Sequence, residues 1–302
     1  LYRVEDRNVP VSTMCDCARI AMHTVEDDQT ERYVFYHEDM RARFLSEHEL
    51  CVAMKGALDD GQFEVYLQPL LDSRFCEPVA AEALVRWNQP GRGMVPPGEF
   101  ITVFERNGLI AELDHFVWRT VCEQLKCWAD AGYELLPISV NASAVDIRPG
   151  FGRSLKELVE EVGVDPRYLR IEITESAYAP YHQQISQLIR YLRTQGFTTM
   201  MDDFGTGYSS LATLKNAFFD QVKMDQTFLE GMEVDTRSFD VVMSTVQLVS
   251  ELGMTVVAEG IETESQANIL RDMGVDLYQG YLFGRPMPIS EFESRYMKRG
   301  NA

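Results

Sequence analysis

The sequence predicts an α/β fold, a closed barrel of alternating strands and helices, and three observations support it. From Phe63 onward, eight short apolar segments alternate with stretches that have helical spacing. Most of these segments end in a carboxylate, an amide or a lysine, where barrel enzymes carry their functional side chains. The 302 residues are 45% hydrophobic, which is enough for a large core with a smaller piece attached.

The segment ahead of the barrel is predicted to be a small α+β unit. A strand is predicted over residues 1–4, a helix over 12–23 and a second strand over 32–36. Such a unit is too small to form a core of its own. The apolar side of its helix is expected to consist of Cys15, Ala18, Ile20 and Ala21.

A connecting helix is predicted over residues 39–59, between a fragment at 1–38 and a barrel domain at 60–298. Its apolar positions are Phe44, Leu50, Ala53, Met54 and Leu58. The barrel strands are predicted at residues 63–67, 80–85, 137–140, 169–173, 198–201, 221–224, 255–258 and 277–278. Strands buried on both faces are apolar throughout, and these segments fit that description.

Charge and cysteine content exclude several classes of function. A net charge of −19 argues against binding DNA or RNA polymers, which rests on Lys and Arg patches. The six cysteines lack zinc or disulfide spacing, so reduced thiols in the cytoplasm are expected. The chain begins at Leu1 without Met, and we expect a fragment of a longer protein with an upstream sensor or membrane domain.

Two adjacent carboxylates, Asp202 and Asp203, end an apolar strand and open into a glycine-rich loop at residues 204–210. Two like charges side by side repel each other unless a cation holds them, so the pair indicates a metal site. The same residues also suit a helix N-cap followed by a turn, because Asp and Gly both favour such places. The pair alone does not distinguish the two interpretations.

Polar side chains at the ends of other predicted strands favour the metal interpretation. They are Glu82, Asn141, Glu172, Glu175, Lys223, Glu259 and Gln279. Burying so many carboxylates without partners is costly, so cations must offset their charge. Carboxylates and an amide, without suitably placed His or Cys, favour Mg²⁺ or Mn²⁺ over Zn²⁺. Two such ions about 3.5–4 Å apart would suit an in-line phosphoryl displacement.

The motifs in these segments resemble those of a known family, the EAL-domain cyclic di-GMP phosphodiesterases. The string EALVRW at residues 82–87 matches the family's signature. Further matching strings are YLQP at 66–69, PGEFI at 97–101, SVNAS at 139–143, EITES at 172–176, DDFGTGYSS at 202–210, VKMD at 222–225, AEGIE at 258–262 and QGYLF at 279–283. The resemblance covers residues 55–295, so it includes almost the whole predicted barrel.

The resemblance implies a TIM-like (β/α)8 barrel whose first strand is antiparallel, and hydrolysis of cyclic di-GMP to linear pGpG. It implies two Mg²⁺ or Mn²⁺ ions in one active site. The ligands that it implies for the first ion are Glu82, Asn141, Glu172 and Asp202. Asp203 is expected to recruit the second ion, and Gln279 to reach that ion through water.

The resemblance also implies roles in catalysis and substrate binding. Glu259 is expected to orient or deprotonate the attacking water, and Lys223 to steady that water or the developing charge. Glu175 is expected to anchor the loop that follows Asp202 rather than to bind metal. Arg86 is expected to meet a phosphate, because a guanidinium offers forked hydrogen bonds. The other implied substrate contacts are Gln68, Leu84 and Asp225.

Simpler interpretations of three of these residues remain open. Glu82 would serve equally as an ion-pair partner of Arg86 inside the barrel. Lys223, set in an apolar strand, would serve equally as a lysine that snorkels to the surface. Tyr281 belongs with the aromatic residues that are more often core than stacking platforms for bases.

The N-terminal fragment resembles the last part of a GGDEF diguanylate cyclase domain. Neither the GGDEF signature nor its nucleotide loop is present, so no cyclase activity is expected from these residues. Three functions remain: an active cyclic di-GMP phosphodiesterase, a non-catalytic cyclic di-GMP receptor that signals to a partner, and a metal enzyme acting on another phosphodiester. The resemblance further implies a homodimer.

Overall fold

The computed structural model describes residues 1–6, 8–27, 33–206, 214 and 218–300. The described strands are β1 (Phe63–Asp72), β2 (Pro78–Gln89), β3 (Gly93–Val95), β4 (Ile138–Asn141), β5 (Leu169–Thr174), β6 (Thr198–Phe204), β7 (Gln221–Met224), β8 (Thr255–Ala258), β9 (Leu277–Tyr278) and β10 (Met287–Pro288). The described helices are α1 (Val11–Asp27), α2 (Glu38–Asp59), α3 (Pro97–Arg106), α4 (Ile110–Asp130), α5 (Phe151–Val162), α6 (Glu175–Tyr178), α7 (His182–Thr194), α8 (Thr236–Glu251), α9 (Glu264–Asp272) and α10 (Ile289–Tyr296). Short 3₁₀ turns lie at Pro166–Tyr168 and Gln226–Leu229.

Eight of these strands close into a barrel. Strand β1 pairs in antiparallel fashion with both β2 and β9. From β2 the sheet continues through β4, β5, β6, β7 and β8 to β9, and each of these neighbours is parallel. Strands β3 and β10 extend the sheet beside β2 and β1. The predicted barrel with an antiparallel first strand is therefore confirmed.

The first two strands are longer than the sequence predicts. Their antiparallel ladder runs from Phe63 opposite Trp87 to Leu71 opposite Pro78. The predicted range 63–67 covers only the first half of β1, and the range 80–85 only the interior of β2, since the remaining residues of both strands include prolines and polar side chains. The other six strands lie within one to three residues of the predicted bounds.

The interior of the barrel contains two successive layers of side chains, because residues two apart in a strand point to the same face. The layer nearer the carboxyl ends of the parallel strands, here the upper layer, consists of Gln68, Glu82, Asn141, Glu172, Asp202, Lys223, Glu259 and Gln279. The lower layer, two residues away in each strand, consists of Leu70, Ala80, Ser139, Arg170, Met200, Gln221, Val257 and Leu277. The apolar members of the lower layer form one packed cluster.

The two strands predicted for the N-terminal unit are not formed. Residues 1–4 and 33–36 are irregular, although Leu1 N donates to Val34 O at 2.6 Å and Tyr36 N donates to Leu1 O at 2.7 Å. Two backbone bonds are too few to make a ladder, and residue 32 lies outside the described part of the chain. The helix α1 is present, and among its side chains at residues 11–22, whose burial is described, Cys17 and Ala21 are buried whereas Cys15 is exposed.

Helix α2 extends over the predicted range, but only its second half packs on the barrel. Leu50 and Met54 are buried against Phe100 and its neighbours on α3 and the first hairpin. Phe44, an apolar position of the predicted helix, is 39% exposed. The first half of α2 faces α1 instead, which is too small to cover it.

Helices cover the outer face of the barrel, where the alternate strand residues form the main apolar core. At the opposite end from the upper layer, Glu293 of α10 accepts hydrogen bonds from Trp128 Nε1 at 2.7 Å and from the Tyr133 hydroxyl at 2.9 Å. In the part of the chain that the structure describes, no helix has both the length and the apolar composition that crossing a membrane requires.

Candidate active site and metal centre

The ammonium of Lys223 lies at the centre of the upper layer. Its Nζ atom is 2.8 Å from Glu172 Oε2 and 2.6 Å from Glu259 Oε1. It is also 3.2 Å from Glu82 Oε2 and 3.1 Å from Asp202 Oδ1. The residue is 1% exposed, so the interpretation as a snorkelling lysine was wrong, and the ion pair of Glu82 is with Lys223 rather than Arg86.

The electrostatics of the layer are dominated by burial and by the excess of acids. Burial by itself lowers the pKa of Lys223, but the surrounding carboxylates raise that pKa well above its usual value. Burial raises the pKa of Glu172 well above its ordinary range, and Lys223 offsets this only in part. Burial likewise raises the pKa of Glu259 to about 8. One ammonium therefore does not neutralise the cluster, and a further cation would be stabilised here.

The carboxylates form two groups whose oxygens lie within 4.8 Å of one another. One group is Glu82, Glu172 and Asp202, and the other is Asp202, Asp203 and Glu259. Asp202 belongs to both. The second oxygen of Glu172, Oε1, is buried and has no hydrogen-bond partner among the described residues. A set of hard oxygen donors with an unpartnered oxygen fits a hard divalent cation.

Asp203 reaches this cluster because strand β6 contains a bulge. Three steps along β6, from Met201 to Phe204, pair with two steps along β7. A regular strand would turn Asp203 to the outer face, but the extra residue and a φ of 54° aim it at the site. A positive φ is uncommon for a residue other than glycine and is often found at functional sites. Burial and the neighbouring Asp202 raise the pKa of Asp203 to about 6.

A hydrogen bond joins the loop after Asp203 to Glu175, the first residue of α6, which follows β5. Glu175 is buried, and its Oε2 accepts a hydrogen bond from the Gly205 backbone N at 2.9 Å. The expected loop anchor is thus in place geometrically. Gly205 has a φ of 102°, and a Cβ there would collide with the ring of Phe228. Residues 207–210 of the predicted glycine-rich loop lie outside the described part of the chain.

Two cavities meet at this cluster, and both are lined by Leu84, Asp202 and Asp203. The first, of about 340 Å³, contains Lys223 and Glu259, and we call it the polar cavity. The second, of about 850 Å³, extends under α3 and β4. Together they form a cleft long enough for a ligand larger than a single phosphate.

The remaining site residues predicted from the sequence are divided between the two cavities. Gln68 and Asp225 line the polar cavity, but Asp225 Oδ1 already accepts from Thr227 N at 2.9 Å, as a helix N-cap. Arg86 and Asn141 line the larger cavity. The guanidinium of Arg86 donates to Val85 O at 2.8 Å and lies 5.6 Å from the Tyr66 ring centroid.

Among the residues that line these cavities without having been predicted as site residues are Tyr281, Glu262 and Asp114. Tyr281 is 53% exposed beside the polar cavity, with the Arg285 guanidinium 4.3 Å from its ring centroid, so its prediction as core was wrong. Glu262 lines the same cavity. Asp114, from the middle of α4, lines the larger one. Helical spacing alone does not reveal Asp114, since nothing in it shows which helix borders a cavity.

Comparison with known proteins gives a family match. A model of the EAL domain matches residues 52–286. The chain is 34% identical over 277 residues to the cyclic di-GMP phosphodiesterase NbdA of Pseudomonas aeruginosa, covering 91% of this chain and 35% of NbdA. It is 32% identical over 286 residues to the cyclic di-GMP phosphodiesterase PdeR of Escherichia coli, covering 93% of this chain and 43% of PdeR. The chain thus spans less than half the length of either relative.

Solved structures agree in fold. The structure described as PaMucR phosphodiesterase in a c-di-GMP complex superposes with a TM-score of 0.76 at 32% identity. The match covers 81% of this chain and 99% of that one. An EAL domain protein from Listeria monocytogenes superposes with a TM-score of 0.72 at 29% identity, covering 82% of this chain and 97% of that one.

Proposed function

The chain belongs to the EAL domain family, and we propose that it is a metal-dependent phosphodiesterase that hydrolyses cyclic di-GMP to linear pGpG. The observation that carries this proposal is the sharing of Asp202 between two groups of carboxylates around one buried ammonium. Phosphodiester hydrolysis needs charge stabilisation at the phosphate and an activated water, and paired acid groups are the usual protein contribution. Relatives such as NbdA and PdeR are named as cyclic di-GMP phosphodiesterases, which points to the same substrate.

We assign the first ion, Mg²⁺ or Mn²⁺, to Glu82, Asn141, Glu172 and Asp202. Asp203 would recruit a second ion, and Gln279 would contact it through water. When bound, such ions supply Lewis-acid stabilisation of phosphate oxygens and lower the pKa of water. The donor chemistry supports this assignment, because every side chain in the set offers an oxygen.

The remaining side chains hold the substrate and move the proton. Glu259 accepts the proton of the attacking water, and its raised pKa makes it a better base than an ordinary carboxylate. Lys223 stabilises negative charge beside it. Arg86 turns its guanidinium to a phosphate, and Gln68, Leu84 and Asp225 contact the rest of the dinucleotide. Glu175 positions the loop through Gly205 and does not touch the substrate.

The test is hydrolysis by the purified chain of cyclic di-GMP with Mg²⁺ or Mn²⁺, with linear product measured by chromatography and EDTA as the negative control. Asp202→Asn is expected to reduce the rate at least about 100-fold, since it belongs to both carboxylate groups. Asp130→Asn, at an exposed ion pair with Lys126, is the matched control and should leave the rate unchanged. Tight binding without product would instead indicate a receptor, and faster cleavage of another cyclic nucleotide would indicate a different phosphodiesterase.

We also propose the organisation of the chain around this domain. Residues 1–38 are the end of a GGDEF-like domain, 39–59 the connecting helix and 60–298 the EAL barrel. The relatives are more than twice as long as the matched segment, which supports the presence of further domains. A sensor or membrane domain upstream and a barrel in the cytoplasm are part of the same proposal. A homodimer is proposed for the surface where Gly205, Phe228 and the half-exposed Val241 border a cavity of about 320 Å³. A monomeric mass across working concentrations would refute it.

A further inference from the structure

A chain of hydrogen bonds between two glutamines leads from a backbone carbonyl to the upper layer. Gln68 Nε2 donates to Gly284 O at 3.0 Å. A backbone carbonyl is only an acceptor, so the atom of Gln68 that faces it must be the amide nitrogen. The other end of the Gln68 amide, Oε1, is therefore turned away from Gly284 and accepts from Gln279 Nε2 at 3.1 Å.

The orientation of Gln279 follows from that of Gln68. Because Gln68 presents an oxygen, Gln279 must present its amide nitrogen. That nitrogen also donates to Glu82 Oε2 at 2.5 Å, so both partners of Gln279 require the same orientation. Both glutamines are buried, with 7% of Gln68 and 4% of Gln279 exposed, so water competes little for these bonds.

One oxygen is left over at the end of this chain. Gln279 Oε1 is buried and has no hydrogen-bond partner among the described residues. Leaving a buried carbonyl oxygen unpaired costs free energy, unless a water or a cation occupies the space beside it. Gln279 lines the polar cavity together with Asp203 and Glu259, where the second ion is proposed. The unpaired oxygen is thus a donor available to that ion or to a water on it.

The carbonyl at the start of the chain is itself held in place. Gly284 N donates to Gly280 O at 3.1 Å, in the turn that follows Gln279. A Cβ at Gly284 would lie 2.8 Å from Pro69 Cγ and 3.0 Å from the Tyr296 hydroxyl, so only glycine lets the loop approach this closely. The reference point for the amide orientation is therefore rigid backbone.

We propose that Gln68 is a positioning residue, which orients the Gln279 amide so that Gln279 Oε1 serves the second metal ion. This inference rests on the proposed metal site. The contact from Gln279 to Glu82 cannot do this alone, because Glu82 is itself proposed to ligate the first ion and has its Oε2 shared with Lys223. Gln68 is held by a backbone carbonyl, so it fixes the orientation of the Gln279 amide whatever the charge on the carboxylates.

The test is Mn²⁺ binding without substrate, by titration calorimetry, to the full chain and to Gln68→Met, Gln279→Met and the double variant. Methionine keeps the length of glutamine but makes none of these bonds. We expect each single variant to weaken the second Mn²⁺ site about tenfold, as loss of a supporting hydrogen bond commonly does. The double variant should bind no more weakly than Gln279→Met, because Gln68 acts through Gln279.

The control is Gln62→Met, which removes a half-buried glutamine contact to Trp87 Nε1 outside both cavities and should not change Mn²⁺ affinity. Additive losses in the double variant, or normal affinity in Gln68→Met, would overturn the proposal. If Gln68→Met does not fold, Gly284→Ala replaces it and is expected to weaken the same site by displacing the carbonyl. If the unmodified chain binds no Mn²⁺, the proposed metal site itself fails, which is a separate result.

Discussion

The upper and lower layers of the barrel interior differ in chemistry although they lie on the same eight strands, two residues apart. The upper layer holds four carboxylates around one ammonium, whereas Leu70, Met200 and Val257 make the lower layer mostly apolar. Hydrogen bonds between the same strands hold the backbone of both layers in place. The difference shows that the scaffold tolerates a strongly charged layer because the layer beneath it is packed and because Lys223 offsets part of the charge of the four carboxylates around it.

The lower layer is not wholly apolar. Its one charged member, Arg170, interacts electrostatically with the upper layer. Arg170 lies two residues before Glu172, and its NH1 atom donates to Gln221 Oε1 at 3.4 Å. Burial lowers the pKa of Arg170, and Glu172 raises it. A guanidinium beneath the acid cluster therefore lessens its negative charge from below, which supports the view that the two layers form one electrostatic unit.

Removing the central ammonium should have the largest effect on stability. Lys223→Met leaves buried carboxylates without their partner and is expected to cost about 3–5 kcal/mol of unfolding free energy. Urea unfolding without divalent ions measures the loss, and added Mn²⁺ should restore part of it by replacing the missing charge. Lys156→Met, at an exposed ion pair with Glu160, should change stability by less than about 1 kcal/mol. Equal losses in the two variants would contradict the electrostatic account.

A cavity in the lower layer should reduce stability without affecting metal affinity. Met200 is fully buried among Leu70, Ala80 and Val257, so Met200→Ala is expected to cost about 2–5 kcal/mol. Mn²⁺ affinity, measured below the unfolding transition, should stay within about twofold of the parent because no ligand is lost. A large drop in Mn²⁺ affinity would mean that the two layers are not separable.

The acids of the upper layer should make metal binding depend on pH. A carboxyl must lose its proton before it ligates a cation, and the raised pKa of Asp203, about 6, places that loss above the usual range. Mn²⁺ affinity is therefore expected to rise at least about tenfold between pH 5 and pH 7. Asp203→Asn should bind Mn²⁺ more weakly at pH 7 and with a flatter pH profile. An unchanged profile in the variant would exclude Asp203 as a ligand.

The acid pair formed by Asp114 and Asp146 lies outside the barrel interior. Because this pair contains no lysine, it shows what burial does to an acid without a neighbouring ammonium. Burial, and then Asp146, raise the pKa of Asp114 well above its usual value. The native state thus holds a proton that the unfolded chain releases, so stability falls as pH rises above the ordinary Asp range. Asp114→Asn should raise stability at pH 8 by on the order of 1 kcal/mol and by less at pH 5. Thermal unfolding of this variant, with Asp130→Asn as control, measures the gain; a loss at pH 8 would contradict it.

The site was largely predictable because side chains along a barrel strand alternate between its two faces with a period of two residues. Glu172 and Lys223 stand within two residues of the carboxyl ends of apolar strands, Glu82 stands inside the apolar part of β2, and parallel strands bring such positions together. The adjacent acids Asp202 and Asp203 by themselves predicted a metal site, and the family resemblance added that Asp203 recruits the second ion, although regular alternation would turn Asp203 outward. The bulge that aims it at the site depends on pairing between β6 and β7, which local sequence does not reveal.

The failures of prediction lie where packing partners are far apart in the sequence. Phe44 and Cys15 have helical spacing suited to a core, but the barrel does not reach them. Tyr281 is aromatic, and this residue type is more often buried, yet its position after β9 places it at the rim of the polar cavity. In each case the residue type suits a buried position, but the fold leaves the side chain exposed.

By itself, the sequence determined the class of fold, the order of the strands and the oxygen-rich chemistry of the layer at their ends, because these follow from period and side-chain type. Only the tertiary structure decided that Lys223 sits among four carboxylates, that Asp203 joins them and that Gln279 keeps one oxygen unpaired. These facts depend on contacts between residues that are 21 to 216 positions apart along the chain, as Lys223 with Asp202 and Gln68 with Gly284 illustrate. Closure of the barrel creates such contacts, and no local pattern in the chain specifies them.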